Sequence, residues 1–323
     1  MKAAFSKKYG PPENVTVTDV ADPTPKADEI LIKVHASSVN RTDDGFLRAK
    51  PFVTRFFSGL INPRHPILGC EFAGEVVETG SNVILFGVGD RVFGFDDVKW
   101  GGHGQLKTIN ESKSVAIIPR DISYEQAATS TEGTHYALSY IDTIKKLGAS
   151  RVFVHGATGS IGSAAVQLLK QAGFYVVASS NTKNMGLVKS LGADDVVDWQ
   201  QQDISQYGEL FDVVFDAVGK STFKICKPLL STGGVYIATE LGPYAQNPFL
   251  GLVSPLYRLF GAKRVLFPLP KNNKQLIEFI ASRLEDGTYR PVIDKPYRLD
   301  QITEAYKYVE TGQKTGNVVI RVS

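Results

Sequence analysis

The chain reads as an α/β protein: a doubly wound parallel sheet preceded by an all-β domain. Three observations predict this. Residues 151–184 run strand, glycine-rich turn, helix and strand; four further β-rich runs follow at 195–197, 211–216, 234–239 and 264–267; and before residue 121 short strand-like runs are separated by Pro, Gly, Asn and Asp. In the first of these, 151–155 is a β-rich run, and Gly156, Gly159 and Gly162 let the backbone turn tightly and approach a phosphate at the start of the next helix. Ile161, Ala165, Leu168, Leu169 and Ala172 recur at helical spacing, Gly173 stands where a C-terminal cap belongs, and 174–178 reads as a buried second strand. The glycine spacing departs from G-x-G-x-x-G, so the turn alone fits any βαβ unit; the succession of strands is what makes it a dinucleotide site.

In the preceding domain, 29–39, 71–79 and 91–94 read as strands. Residues 121–139 carry a helical pattern, with Asp121 or Ser123 as N-cap, that links the two domains. Amphipathic helices at 272–285 and 299–310 and a terminal strand at 317–322 follow, and this end is expected to rejoin the first domain. The expected division is 1–120, completed by 271–323, and 121–270.

At 323 residues, 43% hydrophobic and 21% charged, the chain has room for two globular domains. A net charge of +3, with its bases dispersed, offers no nucleic-acid surface. No apolar run is long enough to span a bilayer and the N-terminus has no signal-peptide pattern, so a cytoplasmic location is expected. Cys70 and Cys226 are too few for a disulfide framework or a four-thiolate zinc site, and they read as buried small hydrophobes.

Several motifs occur in an order that resembles the zinc-free quinone oxidoreductase branch of the medium-chain dehydrogenase/reductase superfamily. They are VNRTDDG, HPILGCEFAGEVVETGSNV, GVGDRVFGF, GATGSIGSAAVQLLK and KSLGADDVVD, which span essentially the whole chain. The resemblance implies a GroES-like β-domain joined to a Rossmann domain, with the active site in the cleft between them. Zinc-dependent relatives place a cysteine where Asn40 stands, a histidine where Cys70 stands and a third ligand near Ser130 or Thr131. None of these positions matches, so no metal is expected.

An NAD site puts an acid after the second strand, where it would repel a 2′-phosphate; here no acid occurs from Gly173 through Ala193. Ser179, Ser180, Asn181, Thr182 and Lys183 follow instead, so NADPH is the expected cofactor, and the resemblance places Ser180 and Lys183 beside its phosphate. Gly156, Thr158, Gly159, Ser160, Ile161 and Gly162 form the turn facing the pyrophosphate. Val218 and Gly219 lie at the expected mouth, Phe267 near the nicotinamide, and Trp199 either borders the adenosine or simply packs.

The resemblance puts Asn40 in the cleft as the candidate catalytic residue, its amide donating to the acceptor oxygen; the alternative is a turn asparagine. With no metal to act as Lewis acid, the expected acceptors are quinones or α,β-unsaturated carbonyls. The competing readings are a zinc alcohol dehydrogenase with rearranged ligands and an NADPH-binding protein without turnover. Segments 46–66 and 241–261, rich in aromatic and apolar residues, are expected to shape the pocket. Membrane attachment through them is the weaker reading, because neither forms a long amphipathic helix. Relatives pair through the strand here written KRVLFPLP, which implies a homodimer.

Overall fold

The computed structural model describes every residue except 220, 240, 243–245, 259–261, 269 and 271, so parts of 241–261 and of KRVLFPLP lie outside the described residues. The chain divides into two units, Met1–Glu132 with Asn272–Ser323, and Gly133–Lys271.

The first unit opens with β1 (Lys2–Phe5), β2 (Thr16–Asp19) and β3 (Glu29–Val39), followed by helices α1 (Arg41–Arg48) and α2 (Thr54–Ser58). Strands β4 (Glu71–Thr79), β5 (Arg91–Phe95), β6 (Leu106–Asn110) and β7 (Val115–Ile117) and helix α3 (Tyr124–Ala128) come next. Helix α4 (Thr131–Lys146) carries the chain into the second unit. There β8 (Arg151–His155), α5 (Ser160–Gln171), β9 (Tyr175–Ser180), α6 (Met185–Ser190), β10 (Asp195–Asp198), β11 (Phe211–Asp216), α7 (Phe223–Cys226), β12 (Leu230–Ala238), α8 (Gln246–Arg258) and β13 (Arg264–Leu266) follow. Helix α9 (Lys274–Glu285), β14 (Ile293–Arg298), α10 (Ile302–Glu310) and β15 (Asn317–Arg321) return to the first unit.

In the first unit β3 is the organising strand. Its β-branched sequence EILIKVHASSV is buried along nearly its whole length, and it pairs antiparallel with β15, β4 and β6 in a sheet ordered β14-β15-β3-β4-β5-β7. A core of Ile30, Ile32, Phe72, Val92, Ile109 and Ile320 lies within it. The second unit holds six parallel strands in the order β10-β9-β8-β11-β12-β13. Counted from β8 this is third, second, first, fourth, fifth, sixth, the arrangement of dinucleotide-binding sheets, with its switch point between β8 and β11. The strands read as continuous apolar runs because both faces are covered.

The expected linker helix over 121–139 is instead two helices, and residues 121–132 group with the first unit. The break falls at Thr129 and Ser130, whose hydroxyls donate back to the carbonyls of Glu125 (2.7 Å) and Ala127 (2.7 Å), local bonds that compete with helix continuation. Ser123 rather than Asp121 caps α3, through a capping box with Gln126.

Candidate active site

The second unit presents a turn at the carboxyl ends of its two central strands. After β8 the backbone passes through Gly156 at φ +81°, and a Cβ there would lie 1.6 Å from Val218 Cγ2 on the loop after β11. At Gly162 a Cβ would fall 2.1 Å from the Gly156 carbonyl. These two glycines serve the fold, by conformation and close approach respectively. Gly159 is different. Its φ of −75° and ψ of 174° suit any residue, and the nearest atom to a Cβ built on it is the Gly156 oxygen at 3.9 Å. Neither backbone nor packing requires glycine there, and the space in front of it is open.

That space adjoins the N-terminus of α5, where Gly159 offers no side-chain cap for the first-turn amides. Ser160 Oγ is buried, has no hydrogen-bond partner among the described residues and lies against Gly133 of α4, where a Cβ would fall 2.5 Å from it. Uncapped amides and an open cradle fit the pyrophosphate of a dinucleotide. Thr158 and Ile161 flank this cradle, both partly exposed.

The sequence did not reveal what holds the turn in place. Ser179 Oγ accepts from Gly156 N (3.1 Å) and pairs with His155 Nδ1 (2.8 Å). On the neighbouring strand, buried Asp216 accepts from the amides of Val218 (3.0 Å) and Gly219 (3.1 Å) with one oxygen and from the Tyr236 hydroxyl (2.8 Å) with the other. Asp216 thereby fixes the loop that Val218 lays over Gly156. Phe267, just past β13, is partly buried against Gly251 of α8.

At the end of β9, Lys183 is exposed and has no carboxylate partner among the described residues, whereas Ser180 is buried with its hydroxyl turned to the Asn181 carbonyl at 3.1 Å. Only the lysine of that expected pair faces outward. Asp198 is an acid that lies beyond the acid-free stretch 173–193 in sequence but close to it in space: parallel register sets it opposite Ser180, and it accepts from the Thr182 hydroxyl at 2.5 Å. Trp199 is half exposed, its amide donating to the Ser180 carbonyl.

In the first unit, the positions where zinc-dependent relatives carry ligands form a buried polar cluster. Asn40 Oδ1 caps α1 by accepting from Asp43 N (2.9 Å), and Asp43 Oδ2 accepts from Asn40 N (3.0 Å). Asn40 Nδ2 donates to Cys70 Sγ (3.3 Å). The VNRTDDG segment is thus a capping box opening a helix, with the Asn40 side chain buried beside Cys70. Glu71 accepts from Ser38, from Thr131 Oγ1 (2.8 Å) and from Glu132 N (2.6 Å), while Glu132 takes the Thr42 hydroxyl. Burial pushes both carboxyls above the usual range, Glu132 further because it also feels the Glu71 charge. Burial likewise raises the Cys70 thiol and lowers the Lys314 ammonium that the two acids oppose. Among the described residues no three His, Cys, Asp or Glu side chains are arranged to hold a metal ion. Replacing Glu71 by Ala strands three buried donors and is expected to cost about 2 kcal/mol, read as a lower thermal midpoint; Glu71→Gln, which keeps one acceptor, loses less.

His135 on α4 is buried, which pushes its imidazole down to about 4, so it stays neutral. Cys70 and Cys226 are both fully buried.

Parallel sheet, switch-point turn and uncapped helix together define a nicotinamide-dependent oxidoreductase of the dehydrogenase/reductase type. Residues 26–137 match the family model of the alcohol dehydrogenase GroES-like domain and residues 191–320 that of zinc-binding dehydrogenase. A 2-methylene-furan-3-one reductase of Solanum lycopersicum is 30% identical over 331 residues, covering 99% of this chain and 79% of its own length. A chloroplastic quinone-oxidoreductase homolog of Spinacia oleracea is 30% identical over 319 residues, covering 94% and 92%. The structure of the quinone oxidoreductase from Coxiella burnetii superposes with a TM-score of 0.86 at 24% identity, covering 100% of this chain and 99% of that one. The chain belongs to the zinc-free quinone oxidoreductase branch of the medium-chain dehydrogenase/reductase superfamily.

Proposed function

We propose that the protein passes a hydride from NADPH to quinones or α,β-unsaturated carbonyls, with no zinc in the reaction. When bound, the nicotinamide supplies the hydride. The observation that carries the reading is the committed donor set around Glu71. By the resemblance, Asn40, Cys70 and Ser130 or Thr131 stand where zinc-dependent relatives bind a Lewis acid, and each has an internal hydrogen bond, which supports an acceptor that is electron-poor in its own right. The names of the tomato and spinach relatives support this choice, since one acceptor has an alkene conjugated to a ketone and the other is a quinone.

The turn Thr158–Gly159 and the first-turn amides of α5 at Ser160 and Ile161 hold the pyrophosphate, Lys183 pairs with the 2′-phosphate, and Val218, Gly219 and Phe267 border the nicotinamide half. Asn40 fixes the start of α1 through its bonds with Asp43 and touches the Cys70 thiol. Reducing a quinone leaves a hydroquinone anion whose basicity resembles a phenolate, with a pKa near 10, so water suffices as the last proton donor. An enone asks for a donor at the developing enolate oxygen, and the candidate is the Asn40 amide, whose Nδ2 makes one hydrogen bond, to Cys70 Sγ, among the described residues.

The decisive assay follows NADPH and NADH consumption with quinones, enals, simple ketones and alcohols, identifying products. Turnover confined to conjugated acceptors, with NADPH preferred, is expected; turnover of simple alcohols and ketones alone would support the zinc-type reading, and tight NADPH binding without any turnover the sensor reading.

We also propose a homodimer through the outer edge of β13, which pairs only with β12 among the described residues, beside Phe249 and Leu252 exposed on α8. Light scattering at a monomer's mass would contradict it. Among the described residues no helix is long and apolar enough to cross a membrane. The location we propose is cytosolic, supported by two buried, unpaired cysteines; fractionation into an organelle would contradict it.

A further inference from the structure

Within residues 46–66, the apolar side chains of 52–61 are exposed. Phe52 is 67% exposed, Phe56 61%, Phe57 73% and Ile61 81%, with Val53 and Leu60 beside them in the same open state. Isolated exposed apolar residues are ordinary, but six within ten residues on one short stretch of surface are not.

The stretch is also held firmly. Tyr9 donates to Gly59 O (2.8 Å) and pairs with Ser58 Oγ (2.7 Å), the Arg55 guanidinium lies 4.8 Å over the Tyr9 ring, and Phe52 meets Phe56 edge-on at 6.1 Å. Anchored from beneath in this way, the phenyl rings are presented to solvent by a built turn.

Charge completes the picture. From Gly45 through Cys70 the chain contains no Asp or Glu, while Lys50, Arg55 and Arg64 punctuate the apolar residues and Lys8 lies beside Pro63 and His65. None of these four bases has a carboxylate partner among the described residues. Exposed aromatic rings on a segment that holds bases without carboxylate partners and no acid of its own are complementary to a surface that is anionic outside and apolar just beneath.

We propose that this face docks the protein on an anionic lipid surface. The phenyl rings enter the interfacial layer, where aromatic side chains are favoured, and the bases meet the headgroup charge. Helix α2 has only 5 residues, so the contact depends on a few inserted rings plus charge and is reversible and salt-sensitive. The inference is independent of the proposed reaction, because its test reads binding and not turnover.

The experiment is sedimentation of the full chain with large unilamellar vesicles of phosphatidylcholine, with and without phosphatidylglycerol. The expected result is a bound fraction roughly tenfold higher on the anionic vesicles, falling at high salt, with Phe57→Trp emission shifting to the blue on binding. The combined variant Phe52→Ser, Phe56→Ser and Phe57→Ser, which alters only exposed side chains and is expected to melt as the native protein does, should lose about tenfold in vesicle binding. No binding by the native protein, equal binding to both vesicle types, or undiminished binding by the serine variant would each overturn the proposal. Loss of dimerisation in that variant without vesicle binding would reassign the face to a second copy of the chain.

Discussion

Gly159→Val is expected to abolish productive NADPH binding while leaving the fold intact. The substituted side chain meets no protein atom closer than the Gly156 oxygen, and the backbone already has angles that valine adopts, so the thermal midpoint should move little. What the valine does fill is the space before the uncapped amides of α5, where the pyrophosphate would lie. Losing even two charge-assisted hydrogen bonds there is worth about 3–6 kcal/mol, a fall of at least a hundredfold in affinity. Gly156→Val would lose binding as well, but through a strained φ and a collision with Val218, and would lower the thermal midpoint. The pair separates a glycine kept for a ligand from one kept for the chain. A normal NADPH affinity in a well-folded Gly159→Val protein would remove the turn from the cofactor site.

Lys183→Glu is expected to invert the choice of cofactor. Lys183 is exposed beside the end of β9, so exchanging its charge should leave stability nearly unchanged. A dianionic 2′-phosphate would exchange an attractive partner for a repulsive one. The expected result is a loss of roughly 10²-fold in kcat/KM for NADPH, with NADH altered only a few-fold. Asp198 makes the test sharper: it already sits near Thr182, so Lys183 is the charge that must offset it. Equal losses with both cofactors would show that Lys183 does not read the 2′-position.

How much of this was legible in the sequence differs between the two units. In the second, 151–155 and 211–216 matched their observed strands residue for residue, because parallel strands covered on both faces are unbroken apolar runs that glycine turns punctuate. In the first, 29–39 and 71–79 matched as well, but β1, β2, β6, β7 and β14 went unseen. They are short, and β14 carries Pro296 within an exposed, Lys-containing stretch that reads as loop. At the site, Asn40 was legible in part: its N-x-x-D spacing with Asp43 is a capping signature that a turn asparagine fits, whereas its contact with Cys70 depends on the fold. Asp198 and Asp216 were invisible for another reason. Their roles depend on register and on which strands lie side by side, and hydrophobic periodicity carries neither.

The central claim is hydride transfer from NADPH to a conjugated acceptor by a protein that needs no bound metal. The most direct measurement is the rate of NADPH oxidation by a quinone or enal after exhaustive chelation, with zinc content determined on the same sample. The account predicts an undiminished rate at negligible zinc. A rate that disappears with the zinc and returns in proportion to zinc restored would contradict it.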